Sequence, residues 1–388
     1  MSALSFPPPP VPPPQVSAAA EALRGEVRAF LATELAGMTA LQKAESWSGF
    51  NAEFSRKLGA RGWIGLTFPT EYGGHGRTAL ERYVLVEECV AAGAPVVGHW
   101  IADRQSGPSI LRFGTEAQKH FFIPRIVAGE CFFCIGMSEP NSGSDLASVR
   151  TRATKVDGGW HINGTKLWTS QAHLSHYMIL FCRSSGTPDD RQNGTSQFLV
   201  DMKATRGLSI RPVNALTGEH HFNEIVFQDA FIPDIALLGE EGQGWHQVTS
   251  ELAYERSGPE RFLSSFILLV ETLRVLGTNP SERAAIAIGR LGAHLVTLRR
   301  LSLSVAGMLQ NGENPAIQAA LVKDLGALLE QEIPDIARNL VATDPPTPEL
   351  ERFAEVLAYT TLHAPSFSLR GGTREILRGI IARGLCLR

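Results

Sequence analysis

Apolar residues repeat with a helical period up to about residue 130, alternate with a period of two from 131 to about 238, and return to the helical period from 239 onward. A chain that switches period twice is expected to set a sheet between two helical parts, an α+β fold that is mostly α. The expected divisions are a proline-rich leader over 1–17, an N-terminal α-helical domain over 18–130, a central β domain over 131–238 and a C-terminal helical bundle over 239–388. In the first helical part, Leu23, Val27, Phe30 and Leu31 make one apolar stripe, and Thr115 stands where a helix N-cap belongs. In the last, Ile288, Leu291, Leu295, Leu298 and Leu301 form one stripe. Ile317, Leu321, Leu325 and Leu328 form the next, behind the start signal Asn314-Pro315. Residues 7–14, prolines broken only by Val11, form neither helix nor sheet and are expected to be a solvated polyproline-II tail.

Within the β part, residues 136–170 hold two small-residue clusters, Ser138-Glu139-Pro140-Asn141-Ser142-Gly143-Ser144-Asp145 and Lys166-Leu167-Trp168-Thr169-Ser170. Asn163-Gly164 between them predicts a tight hairpin turn flanked by strands at 160–162 and 165–169. Hydroxyls, backbone N–H groups and an indole on one face suit a polar heteroaromatic ring with a phosphate tail, and Gly143 would let backbone approach a phosphate. On spacing alone, an ordinary loop and a core tryptophan is the favoured reading.

Other classes are disfavoured. With 388 residues, 44% hydrophobic and 19% charged, the chain can bury a large core, and a net charge of -3 leaves no basic footprint for nucleic acid. No apolar run approaches membrane-spanning length and no signal-peptide pattern opens the chain, so a cytoplasmic location is expected. Five scattered cysteines do not form a disulfide framework. Cys131 and Cys134 have redox or zinc spacing, but within a strand-like run they read as structural, and no metal site is expected. The glycine-rich stretch at 73–76 lacks the lysine and strand of a phosphate loop.

The order Ser-Glu-Pro, Gly-Ser-Asp, then Asn-Gly-x-Lys-x-Trp-x-Ser resembles the flavin-binding middle region of the acyl-CoA dehydrogenase family, and the likeness runs from about Trp63 to the C-terminus. The resemblance implies FAD, held by Met137, Ser138, Gly143, Ser144, Trp168, Thr169 and Ser170, with Thr373 and Glu375 from a C-terminal motif. It implies an acyl-CoA substrate met by Ser144, Tyr254, Arg256 and Gly371, and electron transfer to an electron-transferring flavoprotein or similar acceptor. The reaction takes a proton from Cα and a hydride from Cβ, so the protein must supply a carboxylate base. The family places that base at one of two positions. In Leu369-Arg370-Gly371-Gly372-Thr373-Arg374-Glu375 the first position is Gly371, without a side chain. In Leu252-Ala253-Tyr254-Glu255-Arg256 the second is filled, which makes Glu255 the expected base. This pattern belongs to branches acting on long, branched or bulky acyl groups.

Pro259 lacks the N–H that would bond the carbonyl of Glu255, so a helix kinked over 255–259 is expected. Arg256 is expected either to support the pocket wall or to pair with Glu260 along the helix. Two family motifs that reach a neighbouring subunit's flavin diphosphate are missing. Gly277-Thr278-Asn279-Pro280-Ser281-Glu282-Arg283 stands for one and Leu362-His363-Ala364-Pro365-Ser366-Phe367 for the other. The resemblance then implies a hetero-oligomer, a heterotetramer with a second, related chain. A non-catalytic scaffold subunit and a flavin monooxygenase or oxidase are the competing readings.

Overall fold

The computed structural model describes residues 11–12, 16–341 and 347–387, with the side chains of residues 251–255 outside that description. The proline-rich leader therefore falls largely outside the described residues. Contacts group the chain into two units, one of residues 1–49, 77–95 and 252–388, the other of residues 50–76 and 96–251.

The second unit is built on an eight-stranded sheet. Its strands are β1 (Phe133–Gly136), β2 (Arg152–Val156), β3 (Gly159–Ser170), β4 (Tyr177–Arg183), β5 (Thr195–Asp201), β6 (Leu208–Val213), β7 (Phe222–Pro233) and β8 (Leu237–Leu238). They run in the order β6-β7-β3-β2-β4-β5-β8, with β1 pairing parallel to β4. Alternation does what it predicts: Ile162, Met178, Leu180, Phe198, Val200, Ile225 and Phe227 point into one buried core. Cys131 and Cys134 are buried and unbridged, and burial pushes both thiols up to about 12, away from the thiolate that redox or zinc chemistry needs.

The expected hairpin at Asn163-Gly164 is not formed. The tight turn lies at Asp157-Gly158, where Gly158 takes φ 70° and Val156 pairs with Gly159. Asn163 and Gly164 sit inside the twelve-residue strand β3 at a register shift against β7. The amide of Asn163 grips Asp229 across that bulge, donating to Oδ1 at 2.8 Å and accepting from the backbone N–H at 2.9 Å. Gly164 is needed because a Cβ there would stand 2.5 Å from the Thr151 hydroxyl.

The first unit is helical. Helix Ala18–Glu34 buries Leu23, Val27, Phe30 and Leu31 and packs on Ala79–Ala91, a helix buried on nearly every face. Helices Glu282–Gln310 and Ala316–Leu340 pack on each other, and Phe266–Leu276 and Pro348–His363 form a second pair. Leu291 and Leu298 of the expected stripe are buried. The stripe expected on Ala316–Leu340 is displaced: Leu325 is exposed, and Lys323, Asp324 and Glu330 are buried among alanines and Val322. The three charges are buried with partners: Lys323 donates to Phe367 O, Asp324 accepts from Arg374 and Arg378, and Glu330 accepts from Arg370.

Candidate functional site

In the sheet unit, the two small-residue clusters are fastened to each other by one buried cation. Lys166 is fully buried on β3, and its ammonium donates to Met137 O at 2.9 Å and to Glu139 Oε1 at 2.8 Å. Glu139 also accepts from the N–H groups of Arg150 and Thr151, both at 2.8 Å. Burial is the largest single influence on both partners and opposes their charge: it holds Lys166 below its ordinary range, whereas for the carboxyl Lys166 and the N–H donors together outweigh it and hold the group below the usual range. Pro140 and Asn141 occupy the middle of a tight turn in which Glu139 and Ser142 exchange backbone bonds of 2.8 and 3.1 Å. The N–H of Leu167 donates to Ser138 O at 2.8 Å, which draws the first cluster against β3.

Lys166→Met would leave Glu139 buried without its counter-charge, a loss of about 3–5 kcal/mol. The variant is expected to unfold at markedly lower denaturant in an equilibrium titration. Because the folded carboxyl titrates below its unfolded value of about 4.3, the pair's contribution is present above that pH and disappears as pH falls through the folded pKa.

Trp168 breaks the β3 ladder: it takes φ 61°, and the β3–β7 register slips between Lys166 and Thr169. Its indole is 55% exposed and meets Phe222 edge to face. Thr169 is fully buried, and its hydroxyl has no hydrogen-bond partner among the described residues. Its carbonyl accepts from Asn223 Nδ2 at 3.0 Å. That bond fixes the amide orientation, so Asn223 Oδ1 receives Nδ1–H of His173 at 3.2 Å and Nε2–H of His220 at 2.7 Å. The two imidazoles stack at 3.8 Å, and burial together with His220 holds His173 below the ordinary histidine range. No sequence signal marked Asn223; only the folded sheet brings it under Thr169.

Around these anchors the remaining predicted residues are accessible. Ser138 and Ser170 are half-buried, and Gly143 and Ser144 are exposed. A Cβ at Gly143 would meet no atom of the protein, so nothing inside the chain demands glycine there, whereas close approach of an outside group would. Met137 packs against the buried cluster of Val149, Phe181 and Val248. An exposed indole, an orphaned hydroxyl at Thr169 and an open glycine loop fit a flavin.

In the helical unit, the Gly244–Arg256 helix contains positions 254 and 255; the side chains of Tyr254 and Glu255 lie outside the described residues. The expected kink is replaced by a break. The helix ends at Arg256, Gly258 is extended at φ -73° and ψ 165°, and Pro259 opens a short 3-10 turn, Pro259–Arg261. Proline's missing N–H falls at the first position of a new turn, where no bond is lost. Arg256 and Glu260 thus do not stand one turn apart on one helix. Arg256 is buried and its Nε donates to Gly371 O at 3.2 Å.

Gly371 and Gly372 take φ 65° and 93°. Arg370, just before them, lies over the rings of Trp47 and Phe367 and donates to Ser264 Oγ at 2.7 Å and Glu330 Oε2 at 3.2 Å. Thr373 caps the Arg374–Gly384 helix, and Glu375 is exposed in its first turn, where its own N–H and the Thr373 hydroxyl hold the carboxyl below the usual range. Among the described residues, no group of His, Cys, Asp and Glu is placed to hold a metal, and no helix is long and apolar enough to cross a membrane.

Comparison with known proteins identifies the family. Residues 17–130 match the family profile "Acyl-CoA dehydrogenase, N-terminal domain" and residues 134–230 match "Acyl-CoA dehydrogenase, middle domain". Acyl-CoA dehydrogenase IpdE1 of Mycobacterium tuberculosis (strain ATCC 25618 / H37Rv) is 31% identical over 384 residues, covering 93% of this chain and 96% of that protein. Acyl-CoA dehydrogenase FadE34 of the same organism is 32% identical over 84% of this chain, which spans only 45% of FadE34's length. FadE26, also from that organism, is 35% identical over 61% of this chain and 60% of its own. Among solved structures, "Tcur3481-Tcur3483 steroid ACAD" superposes with a TM-score of 0.84 at 26% identity, covering 96% of this chain and 99% of that one. The ChsE4-ChsE5 complex from Mycobacterium tuberculosis gives 0.81 at 29% identity, covering 95% and 97%. The chain belongs to the acyl-CoA dehydrogenase family, whose members are oxidoreductases.

Proposed function

We propose that the chain catalyses FAD-dependent α,β-dehydrogenation of an acyl-CoA thioester with a bulky, branched or long acyl group, with Glu255 as the α-proton base, as one subunit of a heteromer. The observation that carries this reading is at Gly371, the alternative base position. Residue 371 has no side chain, and the space a side chain would take is filled by the guanidinium of Arg261, 3.1 Å from an added Cβ. That supports the family's second base position, which in this sequence is Glu255.

Bound FAD would supply the acceptor for the Cβ hydride. Ser138, Ser170 and the Trp168 indole would hold its ring, Gly143 and Ser144 would approach its phosphates, and Thr373 and Glu375 would meet it from the C-terminal motif. Glu255 would take the Cα proton onto its carboxylate. The Gly371 N–H would hold the thioester oxygen, with Arg256 fixing the next peptide group through the Gly371 carbonyl.

The heteromer is supported by the two missing diphosphate motifs and by similar structures that pair two differently named chains, Tcur3481-Tcur3483 and ChsE4-ChsE5. Similarity to the steroid ACAD Tcur3481-Tcur3483 favours a steroid among the bulky acyl groups. Flavin content and acyl-CoA oxidation with a dye acceptor test the reading. Chain alone is expected to hold little FAD and to gain both FAD and turnover on co-expression with a related acyl-CoA dehydrogenase chain. Tight flavin binding and full turnover by the chain alone would sink the heteromer.

A further inference from the structure

Thr169 and Ser170 end β3 between two strained neighbours. Trp168 takes φ 61° on one side and Gln171 takes φ 53° on the other, left-handed backbone that residues other than glycine adopt at a cost. Such conformations persist only where the surrounding structure holds them. Backbone pairing supplies part of the hold: after the register slips between Lys166 and Thr169, Thr169 stands opposite Asn223 and Ser170 opposite Phe222 on β7. Gln171 donates its N–H to His221 O at 2.8 Å, and its carbonyl accepts from Ser175 Oγ at 2.9 Å. To the two-residue segment itself Asn223 adds a side-chain bond, Nδ2 to Thr169 O at 3.0 Å.

An asparagine amide can be turned either way, and one way alone gives this bond. The acceptor end decides which. Nδ1 of His173, on the 3-10 turn Ala172–Leu174, stands 3.2 Å from Asn223 Oδ1, and Nε2 of His220, just before β7, stands 2.7 Å from the same atom. Two imidazole N–H donors on one oxygen leave the amide nitrogen facing Thr169. A turned amide would set its oxygen against the Thr169 carbonyl, two acceptors together where Asn223 and Thr169 are both fully buried. The two imidazoles stack at 3.8 Å, so each ring supports the other's placement. His221, next in sequence, serves other groups, Glu219 Oε2 at 2.8 Å and Gln171 Nε2 at 3.2 Å.

We propose that Asn223 is a positioning residue for the flavin, and that His173 and His220 are the donors that keep its amide turned toward Thr169. Asn223 acts through the Thr169 carbonyl, and so through the peptide that carries Ser170 and follows Trp168. This rests on the function proposed above, which sets the Trp168 indole and the Ser170 hydroxyl on the flavin ring. No covalent bond is made or broken in this role.

Asn223→Asp separates positioning from packing. The carboxylate keeps the shape of the amide and the acceptor for both imidazoles, and loses the donor to Thr169. In the complex with a related acyl-CoA dehydrogenase chain, Asn223→Asp is expected to weaken FAD binding about tenfold, the effect of one lost buried hydrogen bond. In the chain without FAD, deuterium uptake by a peptide spanning residues 166–171 should rise, while uptake across β4 and β5 stays as in the wild type. His220→Leu, at a half-buried position, is expected to show both changes to a smaller degree. His220→Gln, whose side-chain N–H can replace the imidazole donor, is expected to recover most of them. Wild-type FAD affinity together with unchanged uptake at 166–171 in Asn223→Asp and His220→Leu would overturn the proposal. Lowered thermal stability with FAD affinity unchanged would also overturn it, leaving Asn223 a packing role. Failure of the wild-type complex itself to bind FAD would sink the flavin reading, and this proposal with it.

Discussion

Glu255→Gln is expected to lower acyl-CoA turnover by about 10²–10⁴-fold while FAD content and folding stay as in the wild type. The amide keeps the shape of the carboxylate and cannot take a proton. Position 255 lies in the last turn of the Gly244–Arg256 helix, and Gln has about the same helix propensity as Glu. Rapid mixing of enzyme with substrate, followed by flavin bleaching, separates the chemical step from binding. A fall in the bleaching rate with substrate affinity retained is the expected pattern.

Moving the base to the other family position should fail in this chain. Gly371→Glu needs a side chain at φ 65°, a strained backbone for any L residue, and must displace the Arg261 guanidinium from 3.1 Å. Strain of about 1–3 kcal/mol is expected at that residue alone. The double variant Glu255→Gln with Gly371→Glu is therefore expected to stay as inactive as Glu255→Gln and to melt at a lower temperature. Recovery of activity in the double variant would show that Arg261 yields readily and that the site tolerates either base.

What the sequence disclosed follows from how local each feature is. The stripe Leu23, Val27, Phe30 and Leu31 is legible because one face of one helix is buried. Thr115 caps its helix through the side-chain bond its position suggests. The clusters at residues 138–145 and 166–170 were legible by their spacing and are joined in the fold, but the role of Lys166 in joining them was not.

Features that depend on distant partners were not. Asn163-Gly164 has hairpin chemistry, but Asp229 and Thr151 turn it into a bulge inside β3. Lys323, Asp324 and Glu330 look like a solvated helix face until Phe367, Arg374 and Arg370 fold against them. Pro259 announced a disturbance, yet whether a helix kinks or ends there depends on whether the next turn can restart, and here it restarts with Pro259 at its first position. Arg261, Asn223 and His220 carry no motif, and each matters only for what it meets across the fold.

Exchange at Cα tests the central claim most directly, because it reads proton removal apart from every later step. The FAD-loaded complex is incubated in D2O with an acyl-CoA that can lose its α-proton but has no removable β-hydride, such as a 3-thiaacyl-CoA, and deuterium is followed at Cα by mass spectrometry. The wild-type complex and Gly371→Ala with residual fold should both exchange, and Glu255→Gln should slow exchange by about 10²-fold or more. Exchange at the wild-type rate in Glu255→Gln would contradict the assignment of Glu255 as the base.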